Sequence, residues 1–170
     1  MLQLAGFKKE SIVDGPGIRA TVFFQGCPHL CPGCHNPEAQ DSLGGSMVSL
    51  DVLVRMISKN NDITGITFSG GEPFAQAPAA AALADQVRSL GLNLVIYSGY
   101  TFEKLLVLGQ SDPSIRKLLE GAWLLIDGPY LESEQDLNLA FRGSRNQRIV
   151  DLQETLKENI VVEWAGSDDG

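Results

Sequence analysis

All three cysteines of the chain fall within eight residues, Cys27-Pro28-His29-Leu30-Cys31-Pro32-Gly33-Cys34, and His35 follows at once. Three thiolates held so closely repel one another unless a cation compensates them, so the loop points to a metal centre. Pro28 and Pro32 restrict the loop, and Gly33 leaves room for close backbone approach to a bound group. Zinc would need a fourth ligand, His35 or a carboxylate, and structural zinc sites usually draw on a second knuckle, which this chain lacks. A cubane iron–sulfur cluster held by three cysteines would keep one iron open to a substrate or cofactor. The alternative without metal is buried inert thiols, or a redox pair at Cys31 and Cys34. Spacing alone leaves these readings open.

At 170 residues the chain is expected to form a single domain spanning 1–170, with a substantial core and no need of disulfides. No apolar run long enough for a membrane span is present, and Met1-Leu2-Gln3-Leu4 does not open a signal segment. Cytoplasmic residence is the expectation, and an odd cysteine count agrees with a reducing compartment. A formal charge of −8 argues against general nucleic-acid binding, which depends on many Lys and Arg contacts.

Apolar runs place strands at Ala20–Phe24, Ile63–Phe68, Leu92–Tyr97 and Ala122–Ile126. Between them the spacing predicts helices: one capped by Ser49 with Leu50, Leu53, Val54 and Ile57 on one face, an alanine-rich one from Ala79 to Leu90, one capped by Thr101 and running through Leu108, and one opening at Asp112-Pro113 and closing at Gly121. Strands alternating with helices at intervals of about thirty residues are the signature of parallel pairing. The expected fold is α/β, a mostly parallel sheet forming an open, partial β/α barrel; a full eight-stranded barrel needs a longer chain. Glu132 to Arg148 reads as a long surface loop, Ile160–Trp164 as a final edge strand, and 165–170 as an acidic tail.

Ligands of such sheets bind beyond the carboxyl ends of the strands. There stand the cysteine loop, Ser69-Gly70-Gly71-Glu72-Pro73, Ser98-Gly99-Tyr100-Thr101 and Asp127-Gly128-Pro129. The Gly70-Gly71 pair would offer backbone groups and Glu72 a carboxylate to a cationic ligand. A plain strand-to-helix turn is the alternative for that stretch, and a turn cap is the alternative for Asp127.

Cys27-x3-Cys31-x2-Cys34 resembles the cluster motif of the radical S-adenosylmethionine (SAM) enzymes, and Gly70-Gly71-Glu72-Pro73 resembles that family's second motif, which engages the cofactor's amino group. Asp14-Gly15-Pro16-Gly17-Ile18-Arg19 is similar to the segment before the cluster in glycyl-radical-enzyme activases. Cys31-Pro32-Gly33-Cys34-His35-Asn36, Ser98 to Glu103 and Phe141 to Arg148 resemble the activators of anaerobic ribonucleotide reductases within that group. Gly33 stands where many radical enzymes carry an aromatic residue, a feature those activators share, and His35 stands where tyrosine is frequent among them.

The resemblance implies a fold of the radical SAM type and a [4Fe-4S] cluster on Cys27, Cys31 and Cys34, its fourth iron chelated by the amino and carboxylate groups of S-adenosyl-L-methionine. One-electron reduction of the sulfonium would yield methionine and a 5′-deoxyadenosyl radical, which would take a hydrogen atom from a glycine Cα of a partner enzyme. Gly33, Cys34, His35, Gly70, Gly71, Glu72 and Ser98 would border the cofactor, and Asp14, Gly15, Pro16 and Gly17 would line the groove for the partner's glycine loop. A glycyl-radical enzyme, foremost an anaerobic ribonucleotide reductase, is the implied partner, and a flavodoxin-like protein the implied electron donor. His29 and His35 are read as free loop residues, not cluster ligands, and Arg142, Arg145 and Arg148 as a solvated loop or a docking surface. Rival readings are a radical enzyme acting on another glycyl-radical partner or on a small molecule, a zinc-stapled binding module, and an iron–sulfur electron carrier.

Overall fold

The computed structural model describes residues 1–166. A seven-stranded sheet runs through it, built from β1 (Leu2–Ser11), β2 (Arg19–Phe24), β3 (Ser46–Val48), β4 (Gly65–Gly70), β5 (Asn93–Tyr97), β6 (Leu124–Asp127) and β7 (Arg148–Asp151). Their order is β3-β1-β2-β4-β5-β6-β7, with β3 and β7 the outermost strands. The four central strands, β2, β4, β5 and β6, are parallel, whereas β1, β3 and β7 pair antiparallel. The expected mostly parallel α/β sheet is present, with β1 and β7 running against the other five strands.

Five helices, α1 (Leu50–Ser58), α2 (Ala77–Ser89), α3 (Phe102–Gly109), α4 (Pro113–Gly121) and α5 (Leu152–Glu158), supply the return paths. Their starts are fixed locally. Ser49 accepts from Val52 N–H, Thr101 from Lys104 N–H, Asp112 from Ser114 N–H and Asp151 from Glu154 N–H, each satisfying a donor that the first helical turn cannot pair internally. Ala77, Ala80, Ala81 and Ala84 are buried along α2, where small side chains let the helix lie close to its neighbours.

All five helices contribute to one core, packed on the sheet face that carries Ala20, Val22, Phe24, Ile66, Phe68, Leu94, Ile96, Leu125 and Val150. Phe24 and Phe68 meet there with ring centroids 5.1 Å apart, joining β2 to β4 directly beneath the cysteine loop. The opposite face bears a smaller apolar patch of Val95, Leu124 and Ile126 with Tyr97, Trp123, Ile149 and Trp164. Toward β2 and β4 this second face turns polar. Arg19 is wholly buried there with no carboxylate partner among the described residues, donating to Thr67 Oγ1 (2.8 Å) and to the carbonyls of Pro16 (2.9 Å), Ile66 (2.8 Å) and Asn93 (3.2 Å). Burial pushes its guanidinium down to about 10.

The four strands read from the sequence are present, with ends shifted by one or two residues. β1, β3, β7 and α5 were not foreseen. Glu132 to Arg148 is not a free surface loop. It holds a bridge between Gln135 and Ser144, Ser144 is fully buried and accepts from Leu131 N–H, and its last residue begins β7. Ile160–Trp164 forms no full strand: Glu163 makes an isolated bridge with Val150, and Trp164 N–H donates to Ile149 O. Of the expected acidic tail, residues 167–170 lie outside the described residues. No helix among the described residues is long and apolar enough to cross a membrane.

Candidate iron–sulfur and cofactor site

β2 ends at Phe24 in register with Gly70 of β4, so the cysteine loop and the double-glycine turn leave the sheet side by side. Their backbones then interlock. Gly71 N–H donates to Phe24 O (2.7 Å), Glu72 N–H to Gly26 O (2.8 Å), and Gly26 N–H to Ala39 O (2.6 Å). A Cβ on Gly70, whose φ is +87°, would lie 2.6 Å from Phe24 N, and one on Gly71 would lie 2.3 Å from Gly26 O. Only glycine permits backbone to approach backbone at this distance. The pair therefore seats the turn against the entry to the cysteine loop, in addition to offering backbone to a ligand.

Cys27, Cys31 and Cys34 are free, half-buried thiols lining one cavity of about 140 Å³, together with Gly70, Gly71, Ser98, Gly99 and Tyr130. Burial pushes the Cys27 thiol up. The backbone N–H of His29 works against that shift, while Glu72, Cys31 and Cys34 add to it. A cationic centre would reverse this balance, since metal ligation deprotonates thiols. Among the described residues no three metal-binding side chains are already converged. The glycine- and proline-bearing loop would have to draw its sulfurs together around a cluster. Three soft, unpaired thiols on one cavity fit a cubane with one iron left for an outside ligand.

His35, Asn36, Ser69, Tyr97, Tyr130 and Gln147 line both this cavity and a larger one of about 580 Å³ bounded further by Ile12, Val13, Asp14, Phe141 and Arg142. The two compartments form one cleft at the carboxyl ends of the parallel strands. His35 meets Tyr130 edge-on at 5.0 Å, and Gly33 packs against the Glu132 carboxylate.

Of the expected partner segment, Asp14 reaches the cleft, whereas Gly15 and Pro16 are buried beneath it and Gly17 lies against Thr64 at the far end of β4. Asp14 is oriented by Ser11 Oγ–H and Thr21 Oγ1–H, which donate to its carboxylate, and by Thr67 Oγ1–H, which donates to its carbonyl. The Glu72 side chain is wholly buried and engaged by the protein itself. Oε1 accepts from Ser98 Oγ–H (2.8 Å), Gly99 N–H (2.9 Å) and His29 Nε2–H (2.7 Å), and Oε2 accepts from Phe74 N–H (3.1 Å). Asp127 caps α3 by accepting from Phe102 N–H (2.8 Å) and binds Arg148, so its carboxylate serves the fold.

Sequence reasoning missed Ile12, Val13, Tyr97, Tyr130 and Gln147 as cleft-lining residues. Tyr97 carried a signal in its place at the end of a foreseen strand, and Gln147 in lying within the Phe141 to Arg148 segment. The Tyr97 hydroxyl donates to Phe141 O (2.6 Å), and burial, assisted by Asp14 and opposed by Arg19, holds it far above the ordinary tyrosine range.

The chain belongs to the 4Fe-4S single cluster domain family, whose model matches residues 13–150 and takes in the three thiols at the head of the parallel strands. Over 150 residues it is 31% identical to the anaerobic ribonucleoside-triphosphate reductase-activating protein of Escherichia coli strain K12, covering 84% of this chain and 94% of that protein. The protein of that name from Vibrio cholerae is 31% identical over 146 residues, 81% of this chain and 90% of the relative. The pyruvate formate-lyase-activating enzyme of Clostridium pasteurianum is 32% identical over 108 residues, 60% of this chain and 45% of that enzyme. The resemblance to glycyl-radical-enzyme activases read from the motifs is borne out across most of the chain.

Proposed function

We propose that this protein is a radical SAM activase that installs a glycyl radical on an anaerobic ribonucleoside-triphosphate reductase. The observation that carries the reading is one cleft that joins the three thiols to the Gly70-Gly71 edge and continues past His35 and Tyr130 to Asp14. Relatives named for activating that reductase, at 31% identity over more than four-fifths of the chain, support the choice of partner. The open sheet with helices on one face is in keeping with a partial barrel of the radical SAM type, folded as a single domain. A cytoplasmic setting and a flavodoxin-like electron donor belong to the same reading.

A [4Fe-4S] cluster held by Cys27, Cys31 and Cys34, with SAM beside it, would supply one-electron reductive cleavage of the sulfonium and, through it, hydrogen-atom removal from a glycine Cα of the partner. The chain's own residues position and shield that event. Cys27, Cys31 and Cys34 would hold the cluster. Gly33, His35, Gly70, Gly71 and Ser98 shape the cofactor's bed, with Glu72 bracing it from beneath. Ile12, Val13 and Asp14 meet the partner's loop at the outer compartment, above the turn of Gly15, Pro16 and Gly17, and the wall of Tyr97, Tyr130 and Phe141 limits water.

The test is anaerobic incubation of reconstituted protein with reductant, SAM and the reductase. A glycyl-radical electron paramagnetic resonance (EPR) signal on the reductase, growing with 5′-deoxyadenosine, is expected. Cofactor cleavage without that signal would reject this partner, and the absence of cleavage would reject the activase.

A further inference from the structure

His29, a polar loop residue by its sequence context, is only 14% exposed at its side chain. Its ring meets Tyr100 edge-on at 4.4 Å and lies so close over Gly99 that a Cβ there would stand 2.4 Å from Cδ2. Its Nε2–H donates to Glu72 Oε1 at 2.7 Å. Glu72 thereby gathers donors from the cysteine loop, from the end of β5 through Ser98 and Gly99, and from its own turn through Phe74. Among the described residues, His29 is the only side chain between Cys27 and Cys34 that is hydrogen-bonded to anything outside the loop. The other bonds near that segment join its base to Ala39, to Gln40 and to the backbone N–H of Glu72, which donates to Gly26 O, join its end to Asn36 N–H, which donates to Cys34 Sγ, or run within it.

We propose that His29 is a positioning residue, whose bond to the buried Glu72 fixes the cysteine loop at one spacing from the double-glycine edge. The inference rests on the reading of the cleft as a cofactor site. Substrate-side ligation of an open iron requires the cofactor's bed and the thiol loop to keep that spacing. A loop held in advance spares the ligand the cost of ordering it. Without the bond, the loop is tied only at its base, and cofactor binding must order it. Removing one hydrogen bond to a charged group should weaken SAM binding about ten- to hundredfold.

The test uses His29→Ala and His29→Gln, the latter returning an N–H donor toward Glu72. In metal-free protein, hydrogen exchange at the Gly99 and Phe74 amides reports the tie itself. In anaerobically reconstituted protein, iron content, the SAM-induced shift of the reduced EPR spectrum and the kinetics of SAM cleavage report its consequence. The expected results for His29→Ala are native iron content, faster exchange at both amides, and a KM for SAM raised at least about tenfold with a smaller change in kcat; His29→Gln recovers most of each. Native exchange and native KM in His29→Ala would overturn the inference. So would loss of iron in both variants, which would make His29 a determinant of cluster assembly. If the unaltered protein neither builds a cluster nor binds SAM, the cofactor reading fails, and native exchange in metal-free His29→Ala would still reject the tie.

Discussion

Arg142, Arg145 and Arg148 stand close together in the sequence and do three different things. Arg148 is the lock: its guanidinium donates to both carboxylate oxygens of Asp127 and to both of Glu103, tying β7 to β6 and α3. Arg145 pairs with Glu134 at 3.2 Å on the surface, where such a pair adds little. Arg142 donates to Gln147 O, has a buried Nε with no partner among the described residues, and lines the outer compartment. A cation so placed suits an acceptor on an incoming segment. Arg142→Ala is therefore expected to raise the reductase concentration needed for half-maximal radical yield about tenfold, the worth of one charge-assisted hydrogen bond. A titration of radical yield against reductase checks this, and an unchanged midpoint would return Arg142 to a purely structural part.

The elements that carry the site join backbone to backbone, so its integrity depends on groups too small to look important. Gly71→Ala places a methyl group 2.3 Å from Gly26 O. It should lower stability by about 1–3 kcal/mol and reduce iron retention by displacing the cysteine loop, measured by urea unfolding and iron analysis after reconstitution. The lock between β7 and α3 has a pH signature. Hydrogen bonds from Arg148 hold the Glu103 carboxyl below its ordinary 4.5, so the folded state gives up that proton more readily than the unfolded chain. The resulting stabilisation is whole above the ordinary value and is lost as pH falls through the lowered one. Arg148→Met should therefore show a lower urea midpoint at neutral pH and a shallower further loss on acidification than the unaltered protein. Parallel slopes in the two proteins would contradict it.

The strands that could be read in advance are the ones buried on both faces, whose apolar runs announce themselves, as in Leu94-Val95-Ile96. β1 escaped because Gly6 and Lys8-Lys9 break its pattern while antiparallel pairing with β2 and β3 supplies its order. β3 and β7 are held by neighbours distant in sequence, which no local pattern encodes. The cysteines and the double glycine were legible because their chemistry demands those residue types. His29 was not, since its meaning comes from Glu72, 43 residues away.

At the scale of the whole molecule, helices seal one face of the sheet while the parallel strands deliver thiols and glycines, and the connection between β1 and β2 delivers Asp14, to one cleft. The acidic balance, −8 in formal charge, favours specific docking at such a cleft over diffuse attraction to polyanions. The central claim is that this cleft brings a three-cysteine cluster within reach of SAM. The most direct measurement is EPR of the anaerobically reconstituted, reduced protein with and without SAM, with methionine and 5′-deoxyadenosine scored in the same tubes. A cubane signal that shifts on adding SAM, accompanied by both products, is the predicted result. Protein that keeps zinc and builds no cluster, or a cluster whose spectrum ignores SAM, would contradict it.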